Sequence, residues 1–533
     1  MREIKMHKDI EKTRRRIRSI EPSKNNVMYN SNMYWSQKPF NVCDILIEEL
    51  SEKGDTVYDP FMGSGVTILE AVKKEYGRKA IGCEINEAPI SIVETLLTKY
   101  NLSDYKKVSK EVISRIRELS SYYETRCPQC NKTAQISTVR FDLENRESNP
   151  VIKEIKYICP DCGRASKEAS TEDYSLQNGI YEIKNIKNIK MRENSKLAVQ
   201  KDETIDQIFT KRNFKVIDEV LGIFADYPEY KNVFEYILMS VLHLCKITDT
   251  HSNSQWPLWI PKTNCIEKNA IEIVCKKILS FESVIKYLNE NYKLPAKVKL
   301  LHKGSQYVTE EDIPSESVSL IITDPPYLGQ VAYSEYMQLY QPFINKSINM
   351  DDEIIVTNTP HRKITTDEYF GLLDTVFDIC DKKMVMNGVF CMYFHDSNLS
   401  VWDKLIRSMA DHHFKYICQE HVKKTVTLKN IISPKRSLSG DAILFFVKEP
   451  FKYKEMDPSE TMEVIEQNVI KEITSTVAIK GSMTTPELYD GGLIEYLVYN
   501  GWLGVVSRKY KTLVDLFEKC LNWNEDTNKW ELK

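Results

Sequence analysis

Residues 54–97 read GDTVYDPFMGSGVTILEAVKKEYGRKAIGCEINEAPISIVETLL, and the order of features along this stretch decides the fold. A short apolar run at 56–58 halts at the turn Asp59-Pro60-Phe61-Met62-Gly63-Ser64-Gly65, and residues 66–75 then carry apolar positions at helical spacing. A second run, 79–83, ends at Glu84, and another helical pattern follows. Strand, glycine-bearing turn, helix and strand form one βαβ unit, which predicts an α/β fold with a parallel sheet. In such sheets ligands bind beyond the C-terminal ends of the strands. Gly63 and Gly65 let a ligand approach the backbone there. Glu84, 19 residues past Gly65, is placed to accept hydrogen bonds from ribose hydroxyls. Two commoner loops do not fit: Ile68 stands where the third glycine of a dinucleotide fingerprint belongs, and no Gly-Lys-Ser/Thr follows.

The chain of 533 residues exceeds one compact core, so roughly two to four domains are expected. Hydrophobic residues at 42% and charged residues at 28% describe a soluble globular protein. No apolar run approaches the roughly 18 residues that cross a bilayer. The start, MREIKMHKDIEKTRRRIRSI, lacks the apolar centre of a secretory signal, which predicts a cytoplasmic setting. Net charge is −3, but the first 20 residues hold eight Lys/Arg against three acids. Residues 1–30 therefore form a basic arm, suited either to gripping phosphates or to lying as one solvated helix face.

Nine cysteines (Cys43, Cys83, Cys245, Cys265, Cys275, Cys380, Cys391, Cys418 and Cys520) stand singly in mostly apolar settings, as core thiols of a reducing compartment do. The other four form CPQC (Cys127, Cys130) and CPDCGR (Cys159, Cys162), with 28 residues between the pairs. Two knuckle turns can bring four thiolates to one zinc, and such a closed site leaves no open position, so the metal would be structural. STVRFDL and IKEIKYI between them read as ribbon strands, which sets the ribbon at about 124–166. Two redox C-x-x-C motifs are the alternative reading.

Further on, the apolar run SVSLIIT stops on DPPYLGQ, residues 324–330. Two prolines end the strand and stiffen the backbone that carries Asp324 and Tyr327. DPF-x-GSG resembles the cofactor loop of S-adenosylmethionine-dependent DNA amino-methyltransferases, and DPPY resembles their catalytic segment. YWSQKPF, residues 34–40, resembles the element that closes over the methionine end of their cofactor. The whole layout is similar to zinc-ribbon-containing adenine-specific DNA methylases.

The resemblance implies a Rossmann-like methyltransferase sheet split over 31–100 and 296–450. It implies a large, mainly helical insertion at 101–295 that carries the zinc ribbon, and a helical module at 451–533. It assigns Tyr34, Gln37, Lys38, Pro39, Asp59, Pro60, Phe61, Gly63, Ser64, Gly65 and Glu84 to S-adenosylmethionine. Ser305, in VKLLHKGSQYV, stands where these enzymes usually carry an acid that contacts the cofactor's adenine. Asp324, Pro325, Pro326 and Tyr327 would be catalytic. An exocyclic amine is a poor nucleophile because its lone pair is delocalised into the ring. Asp324 would accept one N–H and the Pro325 carbonyl the other, while Tyr327 offers a ring face to a flipped base. Placement and electrostatics then suffice, without a covalent nucleophile.

Asp at the first position of DPPY leans toward adenine N6, since N4-cytosine enzymes favour Ser there. The motifs stand unpermuted, which puts the recognition region after the catalytic half. Double-stranded DNA is the implied partner, with other subunits of a restriction or phage-defence system as further candidates. Two alternatives are an RNA methyltransferase of the guanine-N2 type and a catalytically lapsed DNA-binding subunit.

KMVMNGVFCMYFHD, residues 383–396, reads as a further sheet strand, and residues 414–450 as the closing antiparallel pair. The loop between that pair holds Lys423, Lys424, Lys429, Lys435 and Arg436, either a DNA-facing hairpin or a solvated loop. Residues 167–295 read as largely helical. HSNSQWPLWIPKTN, residues 251–264, would either line a DNA groove or pack on the helices.

Overall fold

The computed structural model describes residues 2–35, 37–146, 148–249, 256–326, 328, 332–423, 433–438 and 440–533. Along the chain the strands are β1 (Thr56–Asp59), β2 (Lys79–Glu84), β3 (Glu124–Arg126), β4 (Thr133–Asp142), β5 (Val151–Cys159), β6 (Gly163–Lys167) and β7 (Cys265–Lys268). They continue with β8 (Val298–His302), β9 (Val318–Thr323), β10 (Thr357–Asn358), β11 (Lys363–Ile364), β12 (Met384–Phe394), β13 (Phe414–His421), β14 (Ala442–Lys448), β15 (Leu521–Asn524) and β16 (Lys529–Leu532).

The main sheet has seven strands in the order β13-β14-β12-β9-β1-β2-β8. Strands β12, β9, β1, β2 and β8 are parallel, and β14 runs antiparallel to β12 and β13. The chain moves outward from β1 through β2 to β8, then crosses back to the other side of β1 as β9. That reversal is a topological switch point, where neighbouring loops diverge and leave a crevice. The turn after β1 and the Asp324 platform after β9 both open onto it.

Alternation along the strands assigns two cores. Leu320, Ile322, Cys391, Tyr393, Ile443 and Phe445 face one side, packed with the helices Arg2–Ser19 and Phe40–Leu50 and with the insertion. Ile321, Phe390, Met392, Leu444 and Phe446 face the other, against Thr366–Lys383, Leu399–Asp411 and the C-terminal helices. Both faces are covered, which is why these strands read as near-continuous apolar runs. The insertion shares one uninterrupted core with the sheet. Its helices Leu102–Arg117, Lys211–Ala225, Lys231–Cys245 and Ala270–Asn291 pack through aromatic contacts such as Tyr105–Phe281 and Tyr236–Phe281.

The ribbon strands β3-β4-β5-β6 form a sheet that gains β7, from between two insertion helices, on the edge of β4. Glu267 of β7 anchors it: the buried carboxylate accepts hydrogen bonds from Arg212 Nε (2.9 Å) and Nη2 (2.7 Å), Thr210 (2.7 Å) and Gln177 (2.7 Å). The C-terminal helices are joined by a small hairpin, β15–β16, absent from the sequence-based expectation.

One further expectation is corrected. The first βαβ helix ends at Ala71, short of residue 75. Lys73 bridges to Tyr292, and the Lys74 N–H donates to the Asn291 carbonyl, so the end of the insertion draws the backbone out of the helix. The N-terminal arm is a helix that buries Ile10, Thr13 and Ile17 and leaves Glu11, Lys12, Arg15 and Arg18 exposed, the solvated helix face that was the second of its two readings. Arg14 and Arg18 pair with Glu420, and Arg16 with Glu48 and Glu49, so these cations serve the fold. All nine singly placed cysteines are buried. Among the described residues no helix is long and apolar enough to cross a membrane.

Candidate active site

A cleft of about 870 Å³ lies at the C-terminal edge of β1, β2 and β9. Of the residues expected from sequence, it gathers Tyr34, Gln37, Lys38, Asp59, Pro60, Phe61, Gly63, Ser64, Glu84, Ser305, Asp324 and Pro326. Pro39 stands just behind it as the N-cap of Phe40–Leu50, and Gly65 likewise caps Val66–Ala71. Pro325 faces a small neighbouring pocket walled by Tyr369, Phe370, Met392 and Phe394. Tyr327, Lys424, Lys429 and residues 251–255 lie outside the described residues.

The turn after β1 needs both glycines. Gly65 has φ +77, and a Cβ there would stand 2.2 Å from Val93 Cγ2 of the next helix; Gly63 has φ +50 and lies under the Tyr34 ring. Asp59 ties the two central strands together, its Oδ1 accepting from the Phe61 N–H (3.0 Å) and the Thr323 hydroxyl (2.7 Å). Burial pushes Asp59 up to about 6, opposed by the Thr323, Thr67 and Phe61 hydrogen bonds and helped by nearby Asp324. Glu84 accepts the N–H groups of Gly63 (3.1 Å) and Asn86 (2.9 Å). Burial raises it to about 7, the Asn86 hydrogen bond lowers it, and the negative charge of Glu353 raises it further.

Ser305 donates its hydroxyl to the Pro60 carbonyl, so it holds the turn after β1. Beside it Gln306 Nε2 donates to the Asp352 carbonyl (3.0 Å), and Gln306, Asp352, Glu353 and Ile354 complete that wall. These four carry no motif and were missed from sequence, as was Tyr333, whose ring stacks on Tyr34 at 6.1 Å and 8°. At the other wall Asp324 Oδ2 is ion-paired with the Lys38 ammonium. Lys38 Nζ also lies 3.5 Å from Asp441 Oδ2 and 4.7 Å from the centroid of the Tyr393 ring. The Tyr369 hydroxyl donates to the Pro326 carbonyl (2.6 Å) and so pins the Pro-Pro platform. Five carboxyl side chains (Asp59, Glu84, Asp324, Asp352 and Glu353) line the cleft with Lys38, a balance that favours a cationic ligand.

Of the basic loop, Lys423 is exposed. Lys435 pairs with Glu518 (2.8 Å) and lies over the Trp530 ring, with Arg436 3.8 Å from the same carboxylate. In the aromatic loop Trp256 is exposed, whereas Leu258 and Ile260 are buried.

Away from the cleft, the sulfurs of Cys127, Cys130, Cys159 and Cys162 lie within 4.8 Å of one another. Four sulfurs at about 2.3 Å from one zinc stand roughly 3.8 Å apart, so the cluster is of the size that one such ion needs. The backbone N–H of Cys130, then that of Gln129, pulls the Cys127 thiol down to about 6, while hydrogen bonding with the neighbouring Cys130 thiol pushes Cys162 up to about 12.

Fold and site together define an open α/β sheet with an acid-lined ligand cleft at its switch point and a stiff Asp-Pro-Pro lip. Residues 5–95 match the family described as DNA methylase, and over that stretch the chain resembles S-adenosylmethionine-dependent DNA amino-methyltransferases. It is 31% identical over 104 residues to the Type II methyltransferase M.MjaII of Methanocaldococcus jannaschii, covering 20% of this chain and 17% of that protein. It is 33% identical over 114 residues to the Type II methyltransferase M.BsoBI of Geobacillus stearothermophilus, covering 20% of this chain and 22% of that protein. The chain thus spans about a fifth of the length of these curated relatives. No solved structure matches.

Proposed function

We propose that this chain is a DNA amino-methyltransferase that takes its target base out of the duplex, with adenine N6 as the acceptor. The observation that carries this reading is the meeting, at one switch point, of the Gly63–Gly65 turn with the Asp324 platform, locked together by Asp59 and Thr323. The cleft suits S-adenosylmethionine in its chemistry: a bare loop, a carboxylate at Glu84 for ribose hydroxyls, and an acidic lining for a sulfonium. When bound, S-adenosylmethionine supplies an electrophilic methyl whose C–S bond breaks as the N–C bond forms.

The chain's own residues do the rest. Asp324 accepts one amine N–H and the Pro325 carbonyl the other, which directs the nitrogen lone pair toward the methyl, and the methylated nitrogen then gives up one of these protons, by way of the Asp324 carboxylate, to water. The prolines and the Tyr369–Pro326 hydrogen bond keep that carboxylate from drifting. DNA as substrate is supported by the DNA methylase match, and adenine by the Asp at the head of DPPY. The four cysteines would hold a structural zinc.

The test is transfer of labelled methyl from S-adenosylmethionine to unmethylated plasmid and genomic DNA, and to tRNA, with nucleoside analysis. Label in N6-methyldeoxyadenosine is expected. Label in N4-methyldeoxycytidine would sink the adenine assignment, and label in tRNA alone would sink DNA. No label despite cofactor binding would make the chain a lapsed subunit.

A further inference from the structure

Lys38 precedes Pro39, the N-cap of the helix Phe40–Leu50, so its backbone is anchored while its four-carbon stem can reorient. Its ammonium rests on Asp324 Oδ2, the carboxylate to which the reading above assigns the target amine. Asp441 Oδ2 lies 3.5 Å from the same nitrogen, on the loop before β14. The two acids are 20% and 8% exposed and Lys38 is 13% exposed, so this is a partly dry triad of one cation between two anions. An ammonium and an exocyclic amine are both N–H donors, and they compete for one acceptor.

We infer that Lys38 is a mobile counter-ion of the base site: it holds Asp324 in the empty enzyme and passes to Asp441 when the target amine arrives. It is a positioning residue on the base side of the cleft, not the cofactor contact that the resemblance implied, and this role rests on the methyl-transfer reading. The transfer costs little because the ammonium keeps a carboxylate at each end of its movement and the Tyr393 ring beneath it. It also avoids leaving a cation beside the amine nitrogen as positive charge develops there. Among the described residues, the groups that face this triad are Asp59 from β1, Cys43 from Phe40–Leu50, Tyr393 and His395 from the end of β12, Tyr369 from Thr366–Lys383, His421 from β13, and Asp441 itself. Without Lys38, Asp324 is left beside the like charges of Asp59 and Asp441.

The test uses the full chain with plasmid DNA and S-adenosylmethionine. Lys38→Met should bind the cofactor within about threefold of wild type while the acid limb of kcat/KM for DNA, which reports the free enzyme, moves up by about one pH unit, since a carboxylate that loses its cationic neighbour takes up a proton earlier. Lys38→Arg should restore the limb. Asp441→Asn removes the second anchor, and should raise KM for DNA with cofactor affinity unchanged. A tenfold or greater loss of cofactor binding in Lys38→Met with the limb unmoved would place the ammonium in the cofactor site and overturn the inference.

The pair is also readable without turnover, from the carboxyl-carbon titration of Asp324 in 13C-aspartate protein, identified by its loss in Asp324→Asn. An inactive wild type whose Asp324 titrates at lower pH than in Lys38→Met sinks the methyl-transfer reading but keeps the pair. Coincident titrations sink the pair, whatever the activity.

Discussion

Glu84 joins the turn after β1 to the helix after β2 through the Gly63 and Asn86 N–H groups, and its charge governs how the cleft responds to pH. Its carboxyl titrates near 7 in the folded chain against an ordinary 4.5. The folded state therefore binds the extra proton, and the stability this group contributes is full below about pH 4.5 and lost as pH rises through about 7. Ribose hydroxyls donate to the ionised form, so cofactor affinity should move the other way. Calorimetry is expected to show affinity rising by up to about tenfold per pH unit toward 7 and levelling above it, with Glu84→Gln weak and flat. On the proposed reading Asp324 acts at a different step. Asp324→Ala should reduce methyl transfer by at least about a thousandfold while leaving cofactor affinity within a few-fold of wild type. Surviving activity would remove Asp324 from the chemistry.

At the scale of elements, β7 is what fastens the ribbon to the helices. Arg212 and Glu267 are 0% and 1% exposed, and removing one charge leaves the other buried and unmatched. Glu267→Ala should cost about 3–5 kcal/mol, read as a lower denaturation midpoint, and the paired change Arg212→Met with Glu267→Leu should recover most of it. The other end of the ribbon carries the four-cysteine cluster, for which a structural zinc is proposed. One zinc per chain is expected by elemental analysis, and Cys159→Ser should release it and make the 124–166 segment susceptible to protease. The knuckles were legible because C-x-x-C is a local signal. The β7 edge was not: CIEK is four residues long, and only the neighbouring β4 edge makes it a strand.

At the scale of the whole molecule, the sheet is one wall shared by two cores. The C-terminal helices cover Phe446, Trp402 and Phe394 with Tyr489, Trp502, Leu503 and Phe517. A chain ending at residue 450 would expose that face, and should accumulate as insoluble or aggregated protein when assayed by sedimentation. A soluble monomer with intact cofactor binding would show that the C-terminal helices are dispensable to the fold. The same argument applies to the insertion, whose Tyr105, Tyr236 and Phe281 belong to the core that includes Leu320 and Ile322. Its helices were readable from apolar spacing, yet their union with the sheet was not, because periodicity tells which face is buried and not against what.

What the sequence determined by itself is local: the strand–turn–helix around Gly63 and Gly65, the strand that halts at Asp324, and the paired knuckles. Each rests on neighbours a few residues apart, where backbone conformation and side-chain period are set by residue type. Only the tertiary structure decided the rest. Strand order laid β9 beside β1 and brought Asp324 to Asp59 through Thr323, and it brought Lys38 to both Asp324 and Asp441. It also turned Ser305 onto the Pro60 carbonyl. Those contacts join residues hundreds of positions apart, and their energy exists only once two cores have closed on either side of one sheet.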